Sequence, residues 1–283
     1  MTSFLSELTG SFSQSAAENP TVAVMEAGYA ASNLDVRYIN CEVVPEKLSE
    51  AVSGAIAMGW LGFNCSLPHK EAILEYLDEL APSAQLIGAV NTVVIKNGRL
   101  VGENTDGKGF VEALRKVRDP KDARTVIFGA GGAARAIAIE LALAGAHKIT
   151  IVNRSPERGE KLAQQVDSRT EADCSFAPWT PGFSIPDDSS LVVNATSLGF
   201  YPHHEETLDV DFSSFRPGSI VADVVPNPPK TKWLHAAEEA GCISLTGIGM
   251  LVNQALVNAR LWTGETLDAE VMHQALNKAL GLA

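Results

Sequence analysis

Apolar positions along the chain keep two rhythms. Thr125–Phe128 (TVIF) and Ile149–Val152 (ITIV) are short unbroken apolar runs of the kind that form buried strands. Between them, an alanine-rich stretch spaces its apolar residues as a helix does and stops at Gly145. The same alternation runs through the first hundred residues. Asn19-Pro20 begins a helix with proline at its first position, and Val22, Met25 and Tyr29 supply its apolar face. Val36–Ile39 predicts a strand, Leu48, Val52 and Ile56 a helix, Trp60–Asn64 a strand, and Ile73, Leu74, Tyr76 and Leu77 a further helix. Before these, Thr9-Gly10 leads into Ser11–Ser15, which reads as a hydroxyl-rich loop. Ala89–Ile95 and Leu100–Gly102 predict a hairpin closed by Asn97-Gly98, and a helix is expected from about 107 to 117. Ser190–Asn194 and Ile220–Val224 are further buried-strand candidates, separated from the earlier elements by a Pro- and Asp-rich loop at 178–189. From Gly247 the pattern is helical to the end, divided at Gly264. Strands alternating with helices predict an α/β protein with mainly parallel sheets. The last helices have no strands nearby in sequence, so they are expected to pack back on the first part of the chain.

Between the TVIF and ITIV runs lies Gly129-Ala130-Gly131-Gly132-Ala133-Ala134, a G-x-G-x-x-A turn from strand into helix. Gly129 allows the tight turn, Gly131 leaves room for a pyrophosphate to touch backbone, and Ala134 keeps the helix close to the sheet. The helix N-terminus offers amide donors to phosphate. This context predicts a doubly wound Rossmann domain that binds a dinucleotide. At the end of the second strand, where an NAD site usually carries Asp or Glu, stand Asn153-Arg154-Ser155, with Arg158 one turn on. A guanidinium pairs with a 2′-phosphate that a carboxylate would repel, so the expected cofactor is NADP(H). Solvated surface arginines are the competing reading.

Length and charge narrow the picture. At 283 residues the chain has room for two domains. The expected division is 1–106 plus 248–283 as an α/β substrate-binding and catalytic domain, and 107–247 as the NADP-binding domain. A net charge of −12 argues against sequence-independent nucleic-acid binding, although a local pocket can still take an anionic substrate. No signal-peptide pattern and no apolar run of membrane-spanning length is visible. The four cysteines are scattered, which suits a reducing cytoplasm and predicts no metal or disulfide framework. A cytoplasmic enzyme is expected, and a homodimer is compatible with the sequence.

Candidate chemistry gathers near strand ends, where open α/β sheets bind ligands: Ser13, Ser15, Asn64, Ser66, Lys70, Asn91 and Asp106. Hydroxyls and amides suit a polyol. An ammonium can give a proton to the alkoxide that forms when a ketone is reduced, with a carboxylate beside it for tuning. From the residues alone, Lys70 reads equally as a solvated helix-start lysine and Asp106 as a helix cap. His69 reads as a surface residue at a helix N-terminus, and His203-His204 with Glu205-Glu206 as a solvated loop.

NCSLPHK (64–70), GAVNT (88–92), ENTDG (103–107), GAGGAA (129–134), NRS (153–155), NATSLG (194–199) and GIGMLVNQA (247–255) occur in this order, and as a set they resemble the shikimate dehydrogenase family. The resemblance implies NADP-dependent interconversion of 3-dehydroshikimate and shikimate in aromatic amino-acid biosynthesis. By position it implies Lys70 and Asp106 as the catalytic pair and Asn64, Ser66, Asn91, Asp106 and Gln254 as substrate ligands, with Ser13 and Ser15 on the substrate carboxylate. It implies Asn153, Arg154 and Arg158 as the 2′-phosphate clamp, Thr196, Ser197 and Leu198 as the turn along the cofactor, and Gly247 with Met250 on the nicotinamide side. Three departures stand out. Only Ser11 and Phe12 separate Gly10 from Ser13, where the family's spacing is longer, and Ala16 follows Ser15 with no His after it. The family's N-V-T-x-P-x-K reads N-C-S-L-P-H-K, with Ser66 keeping the hydroxyl, and Pro226 stands where the family's D-x-x-Y-N-P has tyrosine. They point to a divergent branch. Quinate or an altered shikimate is the alternative substrate, and an inactive NADP-binding sensor the alternative from another class.

Overall fold

The computed structural model describes residues 4–282. The chain divides into two compact units, Met1–Thr105 with Val252–Ala283, and Asp106–Leu251.

The first unit is built on a six-stranded sheet of β1 (Glu7–Ser13), β2 (Val36–Glu42), β3 (Gly62–Cys65), β4 (Glu79–Leu80), β5 (Thr92–Lys96) and β6 (Arg99–Glu103), ordered β2-β1-β3-β5-β6-β4. The β1 strand pairs in parallel with β2 and β3, whereas β5 runs antiparallel to both β3 and β6. The sheet is therefore mixed, because the Asn97-Gly98 turn, with both residues at positive φ, can only reverse the chain. Its helices are α1 (Thr21–Ala31), α2 (Leu48–Ala57), α3 (His69–Ala72) and α4 (Pro82–Ile87). The helix expected after Lys70 is one short turn that continues as a 3₁₀ turn, Ile73–Tyr76.

Residues 11–13 correct the sequence reading: they form the end of β1, not a loop. The strand is central, so its small residues are buried and their hydroxyls are satisfied within the unit. Thr9 Oγ1 donates to Arg37 O at 3.0 Å, and Ser11 Oγ donates to Asn40 Oδ1 at 2.9 Å. Phe12, between the two serines, stacks on Phe63 with ring centroids 4.3 Å apart in a core shared with Leu48, Val52, Trp60, Ile73 and Val93.

The second unit begins with α5 (Asp106–Arg115) and carries an all-parallel sheet of β7 (Arg124–Phe128), β8 (Lys148–Asn153), β9 (Asp173–Pro178), β10 (Leu191–Asn194), β11 (Ile220–Asp223) and β12 (Ile243–Leu245). Its order, β12-β11-β10-β7-β8-β9, reverses between β7 and β10, as in a doubly wound dinucleotide fold. The helices α6 (Gly132–Leu143), α7 (Pro156–Arg169) and α8 (Lys232–Glu239) connect it. Ile137 and Ile139 of α6 are fully buried, and Phe128 meets Trp233 edge to face in the core on the other side. Gly107 lets α5 lie directly on α6: a Cβ there would sit 2.3 Å from Ala136 O.

Two helices close the chain, α9 (Gly247–Thr263) and α10 (Ala269–Ala279), with Gly264 at positive φ after the first. From Val252 onward they belong to the first unit. Trp262 Nε1 donates to Val93 O at 3.0 Å, and Gly28 of α1 makes room for Leu267 and Met272.

Candidate functional site

In the first unit, the expected substrate residues come together at one edge of the sheet. Ser13 ends β1, Asn64 and Ser66 lie at the end of β3, and Asn91 immediately precedes the antiparallel β5. Backbone hydrogen bonds fix the loop that carries Lys70. Ser66 N donates to Phe12 O at 3.0 Å, Gln14 N to Leu67 O at 3.3 Å, and Val90 N to Lys70 O at 2.8 Å. His69 is a correction: it is fully buried, its Nε2 donating to Val43 O at 2.7 Å, so it anchors the loop and does not face solvent. Lys70 beside it is half-buried. Cys65 is buried and its thiol is pushed up to about 12 by desolvation, against the opposing influence of Lys70, which keeps it in the thiol form.

A directed line of buried hydrogen bonds ties these residues to α9. The Tyr38 hydroxyl donates to Asn64 Oδ1 at 2.8 Å, and burial pushes its pKa far up, which keeps the proton in place. Asn64 Nδ2 donates to Thr92 Oγ1 at 2.9 Å and to Asn91 O at 3.0 Å. Asn91 Nδ2 donates to Thr105 Oγ1 at 3.1 Å, and its Oδ1 accepts from Thr105 N at 2.7 Å. The hydroxyls of Thr92 and Thr105 both lie 2.8 Å from Asn258 Oδ1, which turns the Asn258 amide so that its Nδ2 donates to Gln254 Oε1 at 3.0 Å. Both hydrogens of the Asn64 amide are thereby used, and it acts on a ligand only as an acceptor. Gln254, with its oxygen taken, presents its NH₂ as donor. Sequence reasoning missed Tyr38, Thr92, Thr105 and Asn258. The one legible signal was a polar residue, Asn258, four positions after Gln254 on an otherwise apolar helical stripe. Ser13 is buried, and its Oγ accepts from Ser15 N at 3.2 Å, whereas Ser15 itself is exposed.

In the second unit, Asp106 is the first residue of α5, half-buried. The glycine turn sits at the reversal point of the sheet. Gly129 has φ +113°, and a Cβ there would lie 2.9 Å from Ala195 O, so the backbone path requires glycine. Cβ atoms built on Gly131 or Gly132 would meet nothing within 4 Å. Gly131 caps α6 with no side-chain hydrogen bond, so the first amides of that helix have no side-chain acceptor there. Ala130 and Ala133 are half-buried beside them, and Ala134 is fully buried under the helix. These open glycines and uncapped amides fit a dinucleotide pyrophosphate.

At the end of β8, Asn153 Nδ2 donates to Ser155 O at 2.9 Å, and Ser155 caps α7 by accepting from Arg158 N. Arg154 and Arg158 are both exposed. The turn after β10 is shaped from within: Asn194 Oδ1 accepts from Thr196 N at 3.0 Å, and Asn194 Nδ2 donates to Leu198 O at 3.2 Å and Asp223 Oδ1 at 3.1 Å. Asp223 also accepts from Thr231 Oγ1 at 2.6 Å and Val225 N at 3.0 Å. Desolvation raises its pKa to about 6, with those hydrogen bonds opposing. One carboxyl thus links the Thr196-Ser197-Leu198 turn to the segment that carries Pro226. Gly247 packs on the same segment, where a Cβ would lie 2.6 Å from both Val224 O and Val225 O, and Met250 follows one turn along α9, half-buried.

The histidines at 203–204 are exposed. His204 Nε2 lies 3.0 Å from Glu205, whose other oxygen takes Lys232. No helix among the described residues is long and apolar enough to cross a membrane.

Sheet order and glycine turn define a dinucleotide-binding oxidoreductase fold, and the other unit carries a polar, hydrogen-bonded sheet edge. Three family descriptions match the chain: the shikimate dehydrogenase substrate binding domain over 15–93, shikimate / quinate 5-dehydrogenase over 111–178, and the shikimate 5′-dehydrogenase C-terminal domain over 247–276. A shikimate dehydrogenase (NADP(+)) from Methanopyrus kandleri is 42% identical over 90% of this chain and 89% of its own. Two solved structures are similar throughout. The ligand-free 5-ketofructose reductase of Gluconobacter sp. strain CHM43 is 52% identical with TM-score 0.95, covering 98% of this chain and 99% of its own. A shikimate dehydrogenase in complex with NADP+ is 34% identical with TM-score 0.91, covering 97% and 96%. The chain belongs to the shikimate dehydrogenase family.

Proposed function

We propose that the protein is an NADP-dependent oxidoreductase that interconverts a ketone and a secondary alcohol on a polyol, with 3-dehydroshikimate and shikimate as its substrate pair. The observation that carries this is the joint presence of the glycine turn at the sheet reversal and the hydrogen-bonded edge leading to Lys70 and Gln254. NADPH supplies the hydride when bound. Lys70 gives its proton to the developing alkoxide and takes one back from solvent, with Asp106 as the carboxylate that favours its charged form. Asn64 accepts from a substrate hydroxyl, Gln254 donates to one, Asn91 lies beside Asn64 as a further ligand, and Ser13, Ser15 and Ser66 take the polar rim. Arg154 and Arg158, with Asn153, hold the 2′-phosphate, Thr196–Leu198 line the cofactor, and Gly247 with Met250 flank the nicotinamide. On this reading residues 1–106 with 248–283 are the substrate domain and 107–247 the cofactor domain. A homodimer in the cytoplasm completes the reading, and light scattering of the purified protein tests the dimer.

A second substrate has a specific observation in its favour. The 5-ketofructose reductase is more similar, at 52%, than the shikimate dehydrogenases at 42% and 34%. A ketose has no carboxylate. The altered serine segment and the loss of the family tyrosine at Pro226 fall where the resemblance places carboxylate-binding and nearby substrate contacts, so both changes suit a neutral polyol ketone. NADPH oxidation is measured with 3-dehydroshikimate and with 5-ketofructose. A kcat/KM at least about a hundredfold higher for one decides between them, and reduction of the ketose alone rejects the shikimate reading.

A further inference from the structure

The adenosine end of the cofactor site contains a residue that no motif supplies. Arg154 directly follows β8 and Trp179 directly follows β9, and the parallel register pairs Asn153 with Pro178, so the two side chains leave the sheet edge as neighbours. The Arg154 guanidinium carbon lies 5.7 Å from the Trp179 ring centroid. The indole itself is fixed from three directions. Its Nε1 donates to Asp209 O at 2.9 Å, its backbone N donates to Asn153 O at 3.2 Å, and its ring meets Phe128 at 5.3 Å and 62°. Arg154 and Trp179 border a pocket of about 280 Å³ whose walls include Pro181, Leu198, Thr207 and Asp209. Thr207 Oγ1 has no hydrogen-bond partner among the described residues. Asp209 Oδ1 accepts from Gly182 N at 3.0 Å, which holds the carboxylate at the wall.

We propose that Trp179 is a specificity-determining positioning residue: it fixes Arg154 for the 2′-phosphate of an adenine dinucleotide and, with Leu198 and Pro181, walls the purine pocket. This rests on the reading of the second unit as an NADP(H) site. A guanidinium held over an aromatic face by cation–π attraction keeps its N–H donors available, and a phosphate can meet them bidentately. The contact also restricts a side chain that would otherwise sample many rotamers before each encounter. The pocket beyond offers apolar walls for a flat ring and, in Asp209, an acceptor suited to the exocyclic amine of adenine.

The test measures binding of adenosine 2′,5′-bisphosphate and of 5′-AMP by calorimetry, in the wild type, Trp179→Leu, Trp179→Phe, Arg154→Ala and the double variant, with circular dichroism as the check on folding. In Trp179→Leu the preference for the bisphosphate over 5′-AMP falls about three- to tenfold. Trp179→Phe, which keeps a ring face, retains most of it. In the Arg154→Ala background Trp179→Leu has no further effect on that preference, because both act through one guanidinium. An unchanged preference in Trp179→Leu overturns the proposal, as does an equal loss with and without Arg154. If the leucine variant does not fold, Trp179→Met is read in the same way. A wild type that binds neither nucleotide overturns the cofactor reading together with the proposal, whereas tight binding without 2′-phosphate preference overturns the proposal alone.

Discussion

Lys70 illustrates what a residue owes to its surroundings. Its backbone carbonyl is pinned by Val90 N, and the buried His69 beside it anchors the loop to Val43, so the ammonium starts from a fixed stem. Replacing Lys70 by Ala should lower kcat by about 10²–10⁴-fold with little change in KM, since proton donation acts mainly in the transition state. Steady-state kinetics check this, and a raised KM with normal kcat would make Lys70 a simple ligand. Asp223 carries a pH signature. Its pKa near 6 lies above the ordinary 3.8, so the folded state binds more protons between those values. Its contribution to stability is therefore greatest below about pH 4 and is lost as pH rises through 6, a change of about 3 kcal/mol. Denaturant unfolding of wild type and Asp223→Asn across pH 4–7 should show the wild type losing ground to the variant as pH rises, and a pH-independent difference would contradict the assignment. The sequence offers Lys70, Asp106 and Arg154 as candidates because ammonium, carboxylate and guanidinium chemistry is intrinsic to the side chain, yet from the residues alone each also reads as an ordinary surface or capping residue. It leaves Asn64 and Gln254 ambiguous, because which end of an amide faces a ligand depends on Tyr38 and Asn258, distant in the chain.

At the scale of elements, periodicity succeeds where packing is apolar and fails where it is polar. The strands at 125–128 and 149–152 and the helix between them stand in the structure as the apolar rhythm predicts, with boundaries shifted by a residue or so. The β1 strand was hidden, because Thr9, Ser11 and Ser13 have the composition of a loop, and only tertiary hydrogen bonds make their burial tolerable. The β9 strand and the short β12 give too weak an apolar pattern to be read from sequence alone. Helix α9 is joined to the sheet of the first unit in part through Asn258, which receives hydrogen bonds from Thr92 and Thr105 on different segments. Asn258→Ala leaves both hydroxyls without that acceptor and should cost about 2–4 kcal/mol by chemical denaturation, with a raised KM for the polyol substrate through a misaligned Gln254. A variant as stable as wild type would show the relay to be incidental. Gly62→Ala, where the new Cβ would lie 2.2 Å from Val93 O and 2.3 Å from Trp262 Nε1, should destabilise the same seam, as a lower melting temperature.

For the whole molecule, two units with separate cores differ in their polar groups: one gathers hydroxyls, amides and an ammonium at a sheet edge, the other carries the glycine turn with its helix-terminal amides and two exposed arginines. The division was legible because the chemistry of the two halves differs, and the return of the last helices was legible because they lack strands of their own. Substrate identity was less so: the serine segment and Pro226, where the chain departs from the shikimate dehydrogenase motifs, are among the positions that the resemblance ties to the substrate. A net charge of −12 also makes the arginine cluster a local exception, so NADPH binding should weaken as salt is raised more than NADH binding does, which titrations at two ionic strengths would check. On the proposed reading the chain reduces a polyol ketone with NADPH by way of Lys70. The most direct measurement follows NADPH consumption with 3-dehydroshikimate and with 5-ketofructose, in wild type and in Lys70→Ala, with NADPH binding recorded in parallel. Wild type should turn over at least one of the two, and the variant should bind NADPH normally yet turn over neither at a comparable rate. Wild type that binds NADPH and reduces neither ketone, or a variant with undiminished kcat, would contradict it.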